Sequence, residues 1–131
     1  MKEVKFRGMD IANNRWLYGN LEIPLINQSK SKHFIIGYAY GQYQKLEVNP
    51  KTVGQYTGLK DKKFKEIYEG DIVETDLGKG VVVFDSAAFL IRILEDDEYY
   101  GFEDFFSLYE GGCYLVEVIS NIFDKLEGEP K

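Results

Sequence analysis

At 131 residues the chain has room for one domain of ordinary size or two very small ones, and its 44% hydrophobic and 15% aromatic content excludes a disordered segment. No apolar run approaches the roughly 20 residues of a spanning helix, and the start Met1-Lys2-Glu3-Val4-Lys5-Phe6-Arg7 lacks a secretory apolar stretch, so the expected address is the cytoplasm, with no membrane partner. The net charge of −6 hides a division: residues 1–65 hold 12 Lys and Arg against 5 Asp and Glu, and residues 66–131 hold 4 against 17.

The first predicted strand is Glu3 to Met9, where Val4 and Phe6 alternate with Lys5 and Arg7. Asn13-Asn14 supplies a turn, because Asn tolerates a positive φ, and Arg15 to Ile23 returns as the partner strand up to Pro24. The polar stretch Asn27 to Lys32 is read as a loop. Phe34 to Tyr43 follows as one β-branched and aromatic run, with Gly37 and Gly41 spaced as bulges or close-contact points, and Asn49-Pro50 marks another turn.

In the second half, Ile72 to Thr75, Gly80 to Asp85, Phe89 to Leu94, Tyr99 to Phe102 and Tyr114 to Ile119 read as five short strands. Their separators are Gly78-Lys79-Gly80, Asp85-Ser86, Asp96-Asp97 and Gly111-Gly112. Strands this short and this closely spaced predict a small closed sheet, an SH3-like barrel entered through Gly70-Asp71. Glu103 to Tyr109 and Asn121 to Leu126 are the helical candidates, each too short to stand without tertiary support. The fold expected is therefore mainly β: a basic N-terminal β-hairpin region, 1–65, and an acidic SH3-like barrel, 66–131, with any boundary falling between Leu46 and Lys65.

Three patches carry a family resemblance: Lys5-Phe6-Arg7-Gly8 with Trp16-Leu17-Tyr18-Gly19, the long run from Val53 to Val73, and Leu115 to Phe123. Together they span nearly the whole chain, which resembles the YopX-like family of phage and prophage proteins. The resemblance implies a phage or prophage origin, a bacterial host cell and a likeness to SH3-type barrels. The family has no established activity to carry over. One departure stands out: Lys63-Phe64 occupies the place where the usual pattern has Asn-Gly. Phe64 would meet a steric penalty at a positive φ, so a turn of another type is expected, with Phe64 packed on the sheet or protruding as a contact.

The residue inventory argues against several chemistries. His33 is the only histidine and Cys113 the only cysteine, so neither an imidazole metal cluster nor an internal disulfide can form. His33 reads as a loop or strand-edge residue and Cys113 as a small apolar residue entering the last strand. The acidic run Glu95-Asp96-Asp97-Glu98 lacks the interleaved spacing of a Ca²⁺ loop and reads as a solvated hairpin tip. Gly78-Lys79-Gly80 lacks phosphate-loop spacing. No cofactor, metal or catalytic set is expected, and the chain is read as a non-enzyme.

Two stretches remain as a candidate interaction surface. The first is basic and aromatic: Tyr56, Lys60, Lys62, Lys63, Phe64 and Lys65. The second is the aromatic cluster Tyr99, Tyr100 and Phe102 within the acidic half. The first reading is a protein-binding or self-assembling adaptor whose partner is a host protein, a phage protein or a second copy joined through basic and acidic halves. The alternative is a nucleic-acid-associated protein using the segment 56–68, since basic residues interleaved with aromatics line single-strand grooves, although the acidic whole would repel phosphates.

Overall fold

The computed structural model describes residues 4–24, 32–105, 112–113 and 115–123. They form an all-β protein with two sheets, divided into two compact units, Met1–Tyr56 and Thr57–Lys131. The chain passes from the first unit to the second between Tyr56 and Thr57.

The first unit contains β1 (Phe6–Asp10), β2 (Trp16–Glu22), β3 (His33–Ala39) and the front of β4 (Gln42–Asp61). The expected hairpin is present, with Met9 opposite Trp16 and Asn14 at a φ of 55° in the turn. It is, however, part of something larger. β2 pairs with β3, β3 with β4, and β4 returns to pair with β1, so the four ladders close on themselves. Each of the four strands thus has a ladder partner on either side along part of its length, although the β2–β3 ladder covers only residues 20–22 and 34–36. The expected N-terminal β-hairpin region is present, and its ladders continue through β3 and β4 back to β1.

The reason lies in two stretches whose turns the sequence placed imperfectly. Phe34 to Tyr43 is broken at Tyr40-Gly41, whose φ values of 53° and 86° make a tight two-residue turn between paired Ala39 and Gln42. Asn49-Pro50 lies inside β4 as a bulge: Met9 pairs with Asn49 and Arg7 with Gly54, so extra β4 residues bulge out between them. The Thr52 hydroxyl fills the gap, accepting the Met9 amide at 2.8 Å and donating to the Asn49 carbonyl at 2.7 Å. Gly19 and Gly37 let β2 and β3 approach closely, since a Cβ at either would run into the other strand's backbone, at Ile36 O and Tyr18 O respectively. The core of this ring is small: Leu17, Ile35 and Val48, with Phe6, Leu21, Leu46 and Val53 packed against them.

The second unit contains the end of β4, β5 (Glu66–Tyr68), β6 (Asp71–Thr75), β7 (Gly78–Asp85), β8 (Ala88–Ile93), β9 (Tyr99–Gly101), a 3-10 turn (Phe102–Phe105), β10 (Gly112–Cys113) and β11 (Val116–Asn121). β6 to β9 form a meander, and β11 returns antiparallel to β6, giving the order β11-β6-β7-β8-β9. This is a barrel-like arrangement of the SH3 kind. β5 pairs with β4, and β10 pairs with β4 in parallel. Gly70 makes the sharp entry into β6 at a φ of 94°, donating to the Val82 carbonyl and accepting from the Ile122 amide. The core gathers Ile67, Val73, Val82, Ile91, Ile93, Phe102, Phe105 and Val116.

Some local expectations shift. The β6–β7 turn is Asp76-Leu77, because the Thr75 hydroxyl accepts the Leu77 amide and donates to the Gly78 carbonyl; Gly78-Lys79-Gly80 therefore lies in β7. The next turn is Ser86-Ala87, with φ values of 53° and 66°. The helical candidate at Glu103 becomes a 3-10 turn, and its continuation beyond Phe105 lies outside the described residues, as do Gly111, Tyr114 and most of the expected Asn27 loop. Asn121 ends β11 rather than starting a helix, and its side chain accepts the Phe123 amide. No helix among the described residues is long and apolar enough to cross a membrane.

Candidate functional site

The basic segment turns the chain from β4 into β5. The Phe64 amide donates to the Asp61 carbonyl and the Asp61 amide to the Lys65 carbonyl, the pattern of a three-residue hairpin loop whose last residue takes a left-handed conformation. Phe64 fills that place, with a φ of 66°. The loop is indeed of another type than a two-residue Asn-Gly turn, yet the positive φ is retained, and a bulky side chain there is strained. Phe64 is 69% exposed, so its ring gains little burial within its own chain.

Asp61 fastens this loop. It is buried, and its carboxylate accepts the amides of Lys63 and Lys65 through one oxygen and of Val118 through the other, all at 2.8 Å. The Lys62 amide donates to the Val116 carbonyl, tying the loop to β11 a second time. Lys62 and Lys63 both reach Glu117, at 3.7 and 3.1 Å. These pairs are exposed and each is worth no more than about 1 kcal/mol. Lys60 and Lys65 are exposed and carry no ion pair among the described residues. β11 leaves Ile119 exposed, and Leu115 just before it is exposed too.

The other expected contact residues separate. Tyr56 is buried, with Lys5 over its ring at 5.3 Å. Phe102 is a core residue, and Tyr100 packs edge-on against Phe105 at 6.2 Å. Only Tyr99 of that cluster is exposed, at 50%. Tyr56 and Phe102 are buried and Tyr100 packs on the second unit's core, so these rings are taken by packing. His33 opens β3 opposite Val48, and Cys113 pairs through its backbone with Asp61. Among the described residues no three His, Cys, Asp or Glu side chains gather as a cation cage.

Sequence reasoning missed the most aromatic surface, which lies on the first unit. Trp16, Tyr18, Tyr38 and Tyr40 line an open cleft of about 190 Å³ together with Arg15. Tyr38 is 73% exposed and faces Tyr43, 67% exposed, across the β3–β4 ladder. The Tyr38 hydroxyl donates to the Gly41 carbonyl at 3.0 Å and the Tyr40 hydroxyl to Asp10 at 2.6 Å, so both rings are held in place. Arg7 stacks over Trp16 at 4.3 Å and Arg15 over Tyr40 at 5.8 Å. Burial pushes the Asp10 carboxyl up, but hydrogen bonds from Tyr40, the Ala12 amide and Asn13 outweigh it and hold it below the usual carboxylate value. The same bond to Asp10 holds the Tyr40 phenol above its ordinary value. A signal was available: Tyr38-Ala39-Tyr40-Gly41-Gln42-Tyr43 places three tyrosines around a glycine turn, as a hairpin tip would.

The fold is shared with a solved protein. The chain is similar to protein EF1440 from Enterococcus faecalis, with 25% identity, 97% of this chain and 98% of that one covered, and a TM-score of 0.51. No curated protein matches it. The family model described as YopX protein matches residues 5–127, nearly the full length, and the chain belongs to that family.

Proposed function

We propose that the chain is a phage- or prophage-encoded, non-enzymatic adaptor that acts in the cytoplasm of a bacterial host by binding a protein through the Phe64 loop. The partner is a host protein, a phage protein or a second copy. One observation carries the reading: a large apolar side chain is held exposed in a strained conformation by a loop that three hydrogen bonds fasten to the buried Asp61 carboxylate. Backbone strain of this kind persists where the surroundings over-determine it, and an exposed ring on a rigid loop loses little entropy on docking. Lys60 and Lys65 flank it, so the complementary surface is an apolar pocket with an acidic rim.

The same geometry weakens the alternative, a nucleic-acid groove along 56–68. Tyr56 and Tyr68 are buried, and Lys62 and Lys63 share Glu117, which leaves few groups for bases or phosphates. The test is affinity capture of the tagged protein from nuclease-treated host lysate, wild type beside Phe64→Gly. A protein retained by the wild type and lost with the variant supports the adaptor. Recovery that depends on nucleic acid, or that ignores the substitution, overturns it. Light scattering at low salt separates self-association from a foreign partner.

A further inference from the structure

We infer that the tyrosine-lined cleft of the first unit binds single-stranded nucleic acid, stacking bases on its rings and placing phosphate against Arg15. This goes beyond the adaptor reading and rests on a different unit and different residues.

Three features converge. The first is the surface itself: Trp16, Tyr18, Tyr38 and Tyr40 line one cleft, and Tyr43 extends it on the neighbouring strand. A set of flat rings gathered from two strands, β2 and β3, and the turn after β3 is a stacking platform, and stacking tolerates any base because every base has a π-face. The second is rigidity. The Tyr38 and Tyr40 hydroxyls are each tied by a hydrogen bond, and the closed ladders fix the strands beneath them, so the platform exists before a ligand arrives.

The third is charge. Arg15 is exposed at the cleft with an aromatic face beside it and no carboxylate partner among the described residues, which makes it an available anion contact. Residues 1–56 hold eight Lys and Arg against four Asp and Glu, so the unit is basic although the whole chain is acidic. The nearest carboxylate, Asp10, already accepts bonds from Tyr40, Ala12 and Asn13. A proline-rich peptide would use the rings but leave Arg15 without a role, and an acidic peptide would use Arg15 but not the rings. A polyanion of aromatic bases uses both.

Trp16 is the only tryptophan and lines the cleft, so its emission reports occupancy directly. The experiment titrates the full chain with a fluorescein-labelled oligo-dT of about 12 nucleotides at low salt, following anisotropy and Trp16 quenching together. Binding should quench Trp16 and weaken steeply as salt rises. Tyr38→Ala and Arg15→Ala should each weaken binding roughly tenfold, while Tyr38→Phe, which keeps the ring, retains it. Phe64→Gly should leave binding unchanged, which separates this site from the adaptor loop. No anisotropy change with oligo-dT or a mixed-sequence RNA overturns the proposal. So does binding that Lys60→Ala with Lys65→Ala abolishes while Tyr38→Ala spares it. Quenching by a proline-rich peptide that oligo-dT cannot compete away reassigns the cleft to peptide.

Discussion

The two units solve the problem of small size differently. The first gathers a small core of Leu17, Ile35 and Val48, with Met9 and Tyr56 also buried, and its four ladders close on themselves; the second gathers eight buried apolar side chains in one cluster and binds backbone amides with the buried Asp61 and Asp71. A closed ring of four strands is narrow, and already at Gly8 a Cβ would come within 2.9 Å of Val48. Of its large rings Tyr56 is buried, while Tyr18, Tyr38, Tyr40 and Tyr43 are carried outside, where they become a surface for contact. The second unit has room for Phe102 and Phe105, and among the described residues its exposed rings are Phe64, Phe84 and Tyr99. Interior volume thus decides where each unit can place the aromatic residues the chain supplies in both halves.

The sharpest way to break this contrast is at Asp61. Replacing it by Ala leaves three amides, those of Lys63, Lys65 and Val118, without their acceptor, and should destabilise the second unit by about 3 to 5 kcal/mol. Trp16 lies in the first unit, so its emission should report a melting transition that moves less than the transition seen by far-ultraviolet circular dichroism. Equal displacement of both signals would mean that the units melt as one.

Core truncations sharpen it next. Ile91→Ala in the second unit should cost about 3 kcal/mol, and Val48→Ala in the ring about 2, since less apolar volume is removed from a site that backbone closure also supports. Chemical denaturation of both variants tests the order. A larger loss at Val48 would show that the ring depends on packing rather than on closure.

The legibility of the fold follows the same physics. Strands in the second half are readable because short runs rich in β-branched and aromatic residues stand between turn residues, and Gly70 marks the entry where its φ is positive. Ring closure was not readable. It depends on β4 continuing through Asn49-Pro50, and a proline in a strand is normally read as its end; only the Thr52 hydroxyl, standing in for a ladder bond, lets the strand go on. The turn at Tyr40-Gly41 was hidden because tyrosine is a strand former and here takes a φ of 53°. Phe64 was legible as an anomaly of sequence, and the structure gives that anomaly its conformation. The lysine segment stands out in the sequence by its charge, which is partly spent on Glu117, whereas the tyrosine cleft draws its rings from two strands and a turn that only the fold brings together.

Phe64 offers a change of opposite sign. Phe64→Gly removes a bulky residue from a left-handed conformation that glycine adopts freely, and should stabilise the second unit by about 1 kcal/mol. Thermal melting measures it directly. A loss of stability instead would mean that the ring packs usefully on its own chain, and the case for a contact residue would fall with it.

The smallest effect belongs to the first unit and is read in pH rather than in temperature alone. The Asp10 carboxyl is held low in the folded chain, so its contribution is present above the unfolded value of about 3.9 and is lost as pH falls through the folded one. The Tyr40 phenol is held high, so its contribution is present below about 10 and is lost as pH rises through the folded value. One hydrogen bond, from the Tyr40 hydroxyl to Asp10, feeds both limbs. Tyr40→Phe should therefore flatten the alkaline limb and weaken the acid one, where the Ala12 amide and Asn13 still support the carboxylate. The check is the midpoint of Trp16-monitored melting against pH for wild type and variant. Parallel profiles would show that the bond does not hold the cleft's tyrosine in place, and the rigidity ascribed to the platform would then rest on the strands alone.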